Sequence, residues 1–154
     1  MNIAEELLAV IDQLDTEGIP YALCGGIALS IHGYVRVTED IDLLVMLEDV
    51  DRIKDGVREI GFRVAAPKPL TFDVGTERER TIFRISKFEG EEHLVLDLIV
   101  VTPFFTSVWR TRARYQWEGR EIQVVSVEGL IQMKRAAGRK QDLADLERLE
   151  GDHA

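Results

Sequence analysis

The chain of 154 residues is 45% apolar and 31% charged, the balance of one globular domain of ordinary size, which excludes a second full domain, a fibrous chain and a disordered one. Nineteen Lys and Arg against 28 Asp and Glu give a net charge of −9, which argues against a generic nucleic-acid coat or a membrane-surface binder. The single cysteine, Cys24, leaves no internal disulfide, no thiolate zinc cluster and no sign of an oxidising compartment, so the expectation is a single cytoplasmic domain over 1–154.

The N-terminal run MNIAEELLAVIDQLDTEG sets Ile3, Leu7, Leu8, Val10, Ile11 and Leu14 at helical spacing with acids between them. This predicts an amphipathic helix ending near Gly18, not a signal peptide. YALC (21–24) reads as a short buried strand, and after Gly25-Gly26 the segment IALSIHG forms a two-turn helix stopped by Gly33. RVTEDIDLLVM (36–46) is rich in β-branched residues, alternates strictly in its middle and reads as the second strand. Val50, Ile53, Val57 and Ile60 predict a surface helix over 48–60, closed by Gly61. FRVAA (62–66) reads as a strand and 67–75, with two prolines, as a loop. TIFRIS (81–86) and HLVLDLIVV (93–101), separated by the turn-like EGEE, predict a hairpin. The near-continuous apolar run of HLVLDLIVV is that of a strand covered on both faces, expected at the centre of the sheet. A strand at EIQVVS (121–126) and two helices over 127–137 and 142–149, broken at Gly138, close the chain. No run approaches the roughly 18–20 apolar residues of a membrane span. The order of elements predicts an α/β (α+β) fold, a mixed sheet flanked by helices.

Three features carry chemistry. In the second strand Arg36, Thr38, Asp40 and Asp42 fall on one face. The two carboxylates there stand roughly 6.5–7 Å apart at the usual strand rise, so both reach one hard cation. Gly25-Gly26 lies between a strand and a helix, where backbone N–H groups can approach an anion. Asp97 is a lone carboxylate inside HLVLDLIVV, and a buried unpaired carboxylate requires a partner, either an Arg, backbone donors, or a cation shared with Asp40 and Asp42. Together these make a site for a nucleoside triphosphate and its metal. The P-loop pattern GxxxxGK[ST], the kinase signature and GxGxxG do not occur.

At GGIALSIHGYVRVTEDIDLLV the chain resembles the polymerase-β-type nucleotidyltransferases. The branch it resembles most is that of small bacterial proteins related to abortive-infection and toxin–antitoxin nucleotidyltransferases and to the lincosamide and aminoglycoside nucleotidyltransferases. The likeness is strongest over 21–45 and extends through the Asp97 strand to the closing helices at about 127–150. It implies a mixed central sheet, Asp40 and Asp42 as ligands of Mg2+ (or Mn2+), Asp97 as the third carboxylate, and Gly25-Gly26 at the triphosphate, supported by Arg36 and with Thr38 fixing the loop. Many members carry Ser at the second position of the glycine pair; here it is Gly26, which leaves phosphate binding there to backbone N–H groups. In the last segment the resemblance places Lys134 and Arg139 toward the triphosphate or acceptor and gives Asp142 an orienting role; otherwise these residues form a solvated helical face.

Charge is uneven: residues 106–140 hold eight basic residues against three acidic, so the rest of the chain carries −14. With Trp109, Tyr115 and Trp117 interleaved, this segment either holds RNA or nucleotide by stacking and phosphate contacts, or buries its aromatics and pairs its arginines with the acidic surplus. His32, His93 and Cys24 read as structural. The leading expectation is a magnesium-dependent nucleotidyltransferase acting on a hydroxyl of RNA, protein or a small molecule such as a drug. The alternative is a non-catalytic module of the same fold, acting as a toxin–antitoxin component through a cognate partner. A homodimer or a partner protein is expected to complete so small an acceptor site.

Overall fold

Asn2 caps the first helix by accepting the Glu5 amide, and Glu5 and Glu6 sit in its positive first turn. A computed structural model describes residues 1–153. It runs α1 (Ile3–Thr16), β1 (Ala22–Cys24), α2 (Gly25–Ile31), β2 (Asp40–Val45), α3 (Val50–Arg58), β3 (Phe62–Ala65), β4 (Leu70–Phe72), β5 (Arg80–Glu89), β6 (Glu92–Val100), α4 (Thr106–Arg110), β7 (Ala113–Trp117), β8 (Arg120–Val124), α5 (Val127–Ala137) and α6 (Lys140–His153). Leu7, Val10, Ile11 and Leu14 bury the inner face of α1, as their spacing predicts.

The eight strands form one mixed sheet in the order β3-β5-β6-β2-β1-β8-β7, with β4 beside β3 on the outer edge of β5. β2 pairs with β6, and β1 with β8, in parallel; the other pairs are antiparallel, including the β5–β6 hairpin. The middle of this order is β2, with HLVLDLIVV (β6) next to it, because two further strands lie outward of β1. From Leu43 to Val45 β2 is buried on both faces. α1 and α3 pack on each other, and α5 packs against α2, α4 and α6. Ser126 caps α5, and Gly138, at φ +64°, ends it in the left-handed conformation glycine adopts without strain.

The sequence-based expectations fail in four places. The second strand starts at Asp40, not Arg36: Val35 and Val37 are 88% and 87% exposed and have no strand beside them. Leu70–Phe72 lies in the expected loop 67–75 yet forms β4, because the free edge of β5 supplies its hydrogen bonds. α4 and β7 have no sequence forecast, β7 being mostly exposed and held by pairing with β8. α6 begins at Lys140, two residues before the expected start. No described helix is long and apolar enough to cross a membrane.

Candidate active site

Strand register brings the site together. Asp42 stands opposite Asp97 across the parallel β2–β6 pair, and opposite Cys24 across β1–β2; Asp97 stands opposite Arg84 across β5–β6. Arg84, Asp97, Asp42 and Cys24 therefore form one row across four strands, with Asp40 two residues from Asp42 on the same face. Asp97 is 6% exposed, and its partner is Arg84: Nε and one terminal nitrogen donate to its two oxygens at 2.8 and 3.0 Å. Of the partners the sequence left open for Asp97, the structure shows an arginine. Nothing in the sequence marked Arg84, one basic residue in an alternating strand, because the pairing depends on hairpin register.

The glycine pair serves the carboxylates first. Gly25 has φ +70°, and a Cβ there would lie 2.1 Å from Asp42 Oδ2; one on Gly26 would lie 2.8 Å from Thr38 Oγ1. The missing side chains let the start of α2 lie against Asp42 and Thr38. No side chain caps α2. Thr38 Oγ1 donates to the Arg36 carbonyl at 3.4 Å, inside the loop before β2.

Opposite the acids lies a basic wall. Lys134 on α5 is buried, with Nζ 2.9 Å from Asp145 Oδ2 and 3.7 Å from Asp142 Oδ1. Arg36 donates to the same Asp145 oxygen at 2.9 Å, so one carboxylate of α6 holds both cations. Arg139 donates to Asp142 at 2.7 Å, and the Arg139 amide does so at 3.2 Å. The structure thus brings Gly25, Gly26, Arg36, Thr38, Asp40, Asp42, Asp97, Lys134 and Arg139 around one cleft of about 340 Å³. Asp142 lies behind it, lining an adjoining cavity of about 230 Å³. Asp145 was not marked by the sequence as a site residue, though its spacing from Asp142 puts both on one face of α6.

Electrostatics separate the two walls. Burial pushes the Asp42 carboxyl up to about 7, helped by Asp97 and Asp40 and opposed by Arg139 and Lys134. Asp40 is raised too, by partial burial and then by Asp97. Burial would raise Asp142, but the Arg139 hydrogen bond and the charges of Arg139 and Lys134 hold it below the usual carboxylate range. The Cys24 thiol, pushed well up by burial, donates to the Asp42 carbonyl at 3.4 Å.

Among the described residues no group of three or more His, Cys, Asp and Glu is gathered to hold a metal ion by itself. Arg84 takes both oxygens of Asp97, whereas among the described residues no hydrogen bond reaches the carboxylates of Asp40 and Asp42. That pair still fits Mg2+, which is typically held by one or two carboxylates and completed by substrate phosphates.

The basic segment resolves toward the second of its two readings. Trp109, Tyr115 and Trp117 are partly buried against the core. Arg112 covers Trp109 at 3.9 Å, and Arg114, Arg120 and Arg135 pair with Glu121, Asp12 and Glu150. His32 Nε2 bonds the Val125 carbonyl at 2.8 Å, and His93 stacks on Phe88.

Comparison with known proteins bears on this geometry. Sequence comparison with curated proteins gives no match. The fold is similar to that of the lincosamide antibiotic adenylyltransferase LnuA with lincomycin bound (17% identity, TM-score 0.59, 95% of each chain). It is also similar to the antibiotic-resistance factor ANT(2'')-Ia in solution (16%, TM-score 0.67, 100% of this chain and 86% of that one). A crystal structure of ANT(2'')-Ia with adenylyl-2''-tobramycin gives 18% identity and a TM-score of 0.63 over 95% and 87% of the two chains. At such identities the likeness shows the fold alone. Over residues 6–151 the sequence matches the model of the nucleotidyl transferase AbiEii toxins of type IV toxin–antitoxin systems. The chain belongs to this AbiEii family of nucleotidyltransferases.

Proposed function

We propose that this chain transfers a nucleoside monophosphate from a nucleoside triphosphate to an acceptor hydroxyl in a magnesium-dependent reaction. The observation that carries the reading is the unpaired Asp40–Asp42 couple facing Arg36, Lys134 and Arg139 across one cleft. Asp40 and Asp42 hold the metal, Mg2+ or Mn2+, which when bound supplies charge stabilisation to the reacting phosphate. Arg36, Lys134 and Arg139 receive the triphosphate, with the backbone of Gly25-Gly26 beside it and Thr38 fixing the loop. Asp142 and Asp145 hold those cations in place.

The acceptor oxygen forms a bond to the α-phosphorus, the α–β bridge breaks, and pyrophosphate leaves with the electron pair. The hydroxyl proton goes to Asp97, which becomes free to accept it only when Arg84 moves off its oxygens. The acceptor is a hydroxyl of RNA, protein or a small molecule, and the family implies a cognate antitoxin.

The test is incubation of the purified protein and a cell extract with each α-labelled nucleoside triphosphate. Label transfer should occur with Mg2+ and disappear with EDTA. The Asp40→Ala, Asp42→Ala double variant should lose at least about 10³-fold in rate, the scale of removing preorganised charge stabilisation. Transfer that survives both treatments overturns the reading.

A further inference from the structure

β6 runs further out than the strand beside it. The last pair between β2 and β6 is Asp40 with Val95, while Glu92, His93 and Leu94 continue β6 in register with β5 alone. At the other end of the same pair Val101 donates its amide to the Val45 carbonyl. Backbone groups alternate sides along a strand, so the odd-numbered residues of β6 turn N–H and C=O toward β2. His93 therefore points both groups past the end of β2, where among the described residues neither meets a backbone partner.

The chain before β2, facing this edge, is equally unmatched. Among the described residues, 35–38 make no backbone–backbone hydrogen bond. Val35 and Val37 are exposed, while Arg36 and Thr38 turn to the cleft. Between the two edges lies a slot of about 530 Å³, bounded by Thr38, Glu39 and Asp40 on one side and by Glu92, His93 and Leu94 on the other. Thr38, Glu39 and Asp40 also line the cleft of the acids, so slot and cleft are continuous.

We propose that this slot takes an extended polypeptide, which adds as a strand along β6 and carries the acceptor hydroxyl on a side chain facing Asp40. The proposal rests on the transfer reaction proposed above and selects among its acceptors. A strand residue fills roughly 160 Å³ at the usual rise, strand spacing and sheet thickness, so the slot holds about three. Its walls lack backbone partners, and a polypeptide supplies N–H and C=O groups at the spacing of β6. A small molecule would leave that edge unpaired. RNA fits poorly, because the slot presents Glu39, Asp40 and Glu92, the last paired with the Met1 ammonium, against one imidazole, His93, which stacks on Phe88. Those acids repel a phosphodiester chain.

A side chain of the added strand on the Asp40 face lies on the same surface as Asp42 and Asp97, two residues further along. Its hydroxyl oxygen bonds the α-phosphorus, the α–β bridge breaks, pyrophosphate leaves with the electron pair, and the proton passes to Asp97. The product is a phosphodiester on Ser, Thr or Tyr.

The test labels a cell extract with the protein, Mg2+ and each α-labelled nucleoside triphosphate, and then separates proteins, RNA and small molecules. Label should enter protein. His93→Pro deletes the amide that faces the slot, a change tolerated on an unpaired strand edge, and should lower this labelling about 10-fold, the scale of one backbone hydrogen bond. His93→Ala keeps the amide and should label within about 2-fold of wild type. Both variants should bind inorganic tripolyphosphate in Mg2+ buffer as the wild-type protein does, read by calorimetry. A synthetic peptide spanning the labelled residue should slow exchange of the wild-type His93 amide about 10-fold at saturation. Label on RNA or small molecules alone, protein labelling equal in the two His93 variants, or an unprotected His93 amide overturns the proposal while leaving the transfer reaction standing. No label in any fraction removes that reaction and the proposal with it.

Discussion

On the helical wall of the cleft, Lys134 lies between Asp142 and Asp145, with Arg36 on the Asp145 oxygen that Lys134 also holds and Arg139 on Asp142. On the sheet wall, Asp40 and Asp42 stand beside Asp97; among the described residues Asp97 has a cation partner, Arg84, and the other two have none. Both walls take carboxylates out of water. One is neutralised by its neighbours; on the other, desolvation, helped by the like charges of Asp97 and Asp40, raises Asp42 to about 7. The first arrangement stabilises the fold, because it docks α6 on α5 and on the loop before β2. The second destabilises the fold once its acids ionise, a cost that the cation proposed above would relieve.

Three changes break or sharpen this contrast. The largest effect should come from the balanced wall. Asp145→Ala strips Lys134 and Arg36 of their shared oxygen and should cost about 3–5 kcal/mol in denaturant unfolding, the scale of breaking a buried pair from one side. Asp145→Asn, which keeps an oxygen acceptor, should cost less; a loss under about 1 kcal/mol in the alanine variant would mean the network is not structural.

The unbalanced wall should respond with the opposite sign. Asp42 ionises near 7 in the folded chain and near 3.9 when unfolded. The folded chain therefore holds the proton more tightly, and its stability falls as pH rises from about 4 to 7. Asp42→Asn removes this cost. It should stabilise the metal-free protein by up to about 4 kcal/mol at pH 8 and by little at pH 4, read by chemical unfolding in EDTA. Adding Mg2+ should stabilise the wild-type protein at pH 8 and the variant much less. A gain that does not vary with pH would place its cause outside the carboxyl group.

The smallest effect tests the arginine between the two regimes. Without nucleotide, Arg84→Gln should raise Mn2+ affinity about 10-fold, because Asp97 is released and a nearby positive charge is gone. Arg84→Lys keeps the charge without the two-pronged hold, so its value separates the two causes in a paramagnetic titration. Equal affinity in all three proteins would show that Asp97 does not contribute to cation binding.

Much of this was legible in the chain. Asp40 and Asp42 share a face by strand periodicity alone, and Asp97 declared its need for a partner by sitting in an apolar run. The same periodicity misled at Arg36 and Thr38. Alternation describes a strand only where another strand supplies hydrogen bonds, and 36–39 lies outside β2. Arg84 gave no signal and Asp145 only its helical spacing from Asp142, since each acquires its role from a residue 13 or 109 positions away in the chain.

The sequence by itself determined the helices with apolar stripes, the acidic pair and the glycines at the start of α2, because these depend on local periodicity and on steric limits within a few residues. Tertiary structure alone decided that Asp97 faces Arg84, that Gly25 makes room for Asp42, that β4 forms on the edge of β5, and that the cleft opens into an apolar cavity. Strand register and packing between distant segments have no local code, and they turn three separate acids into one cluster on one face of the sheet.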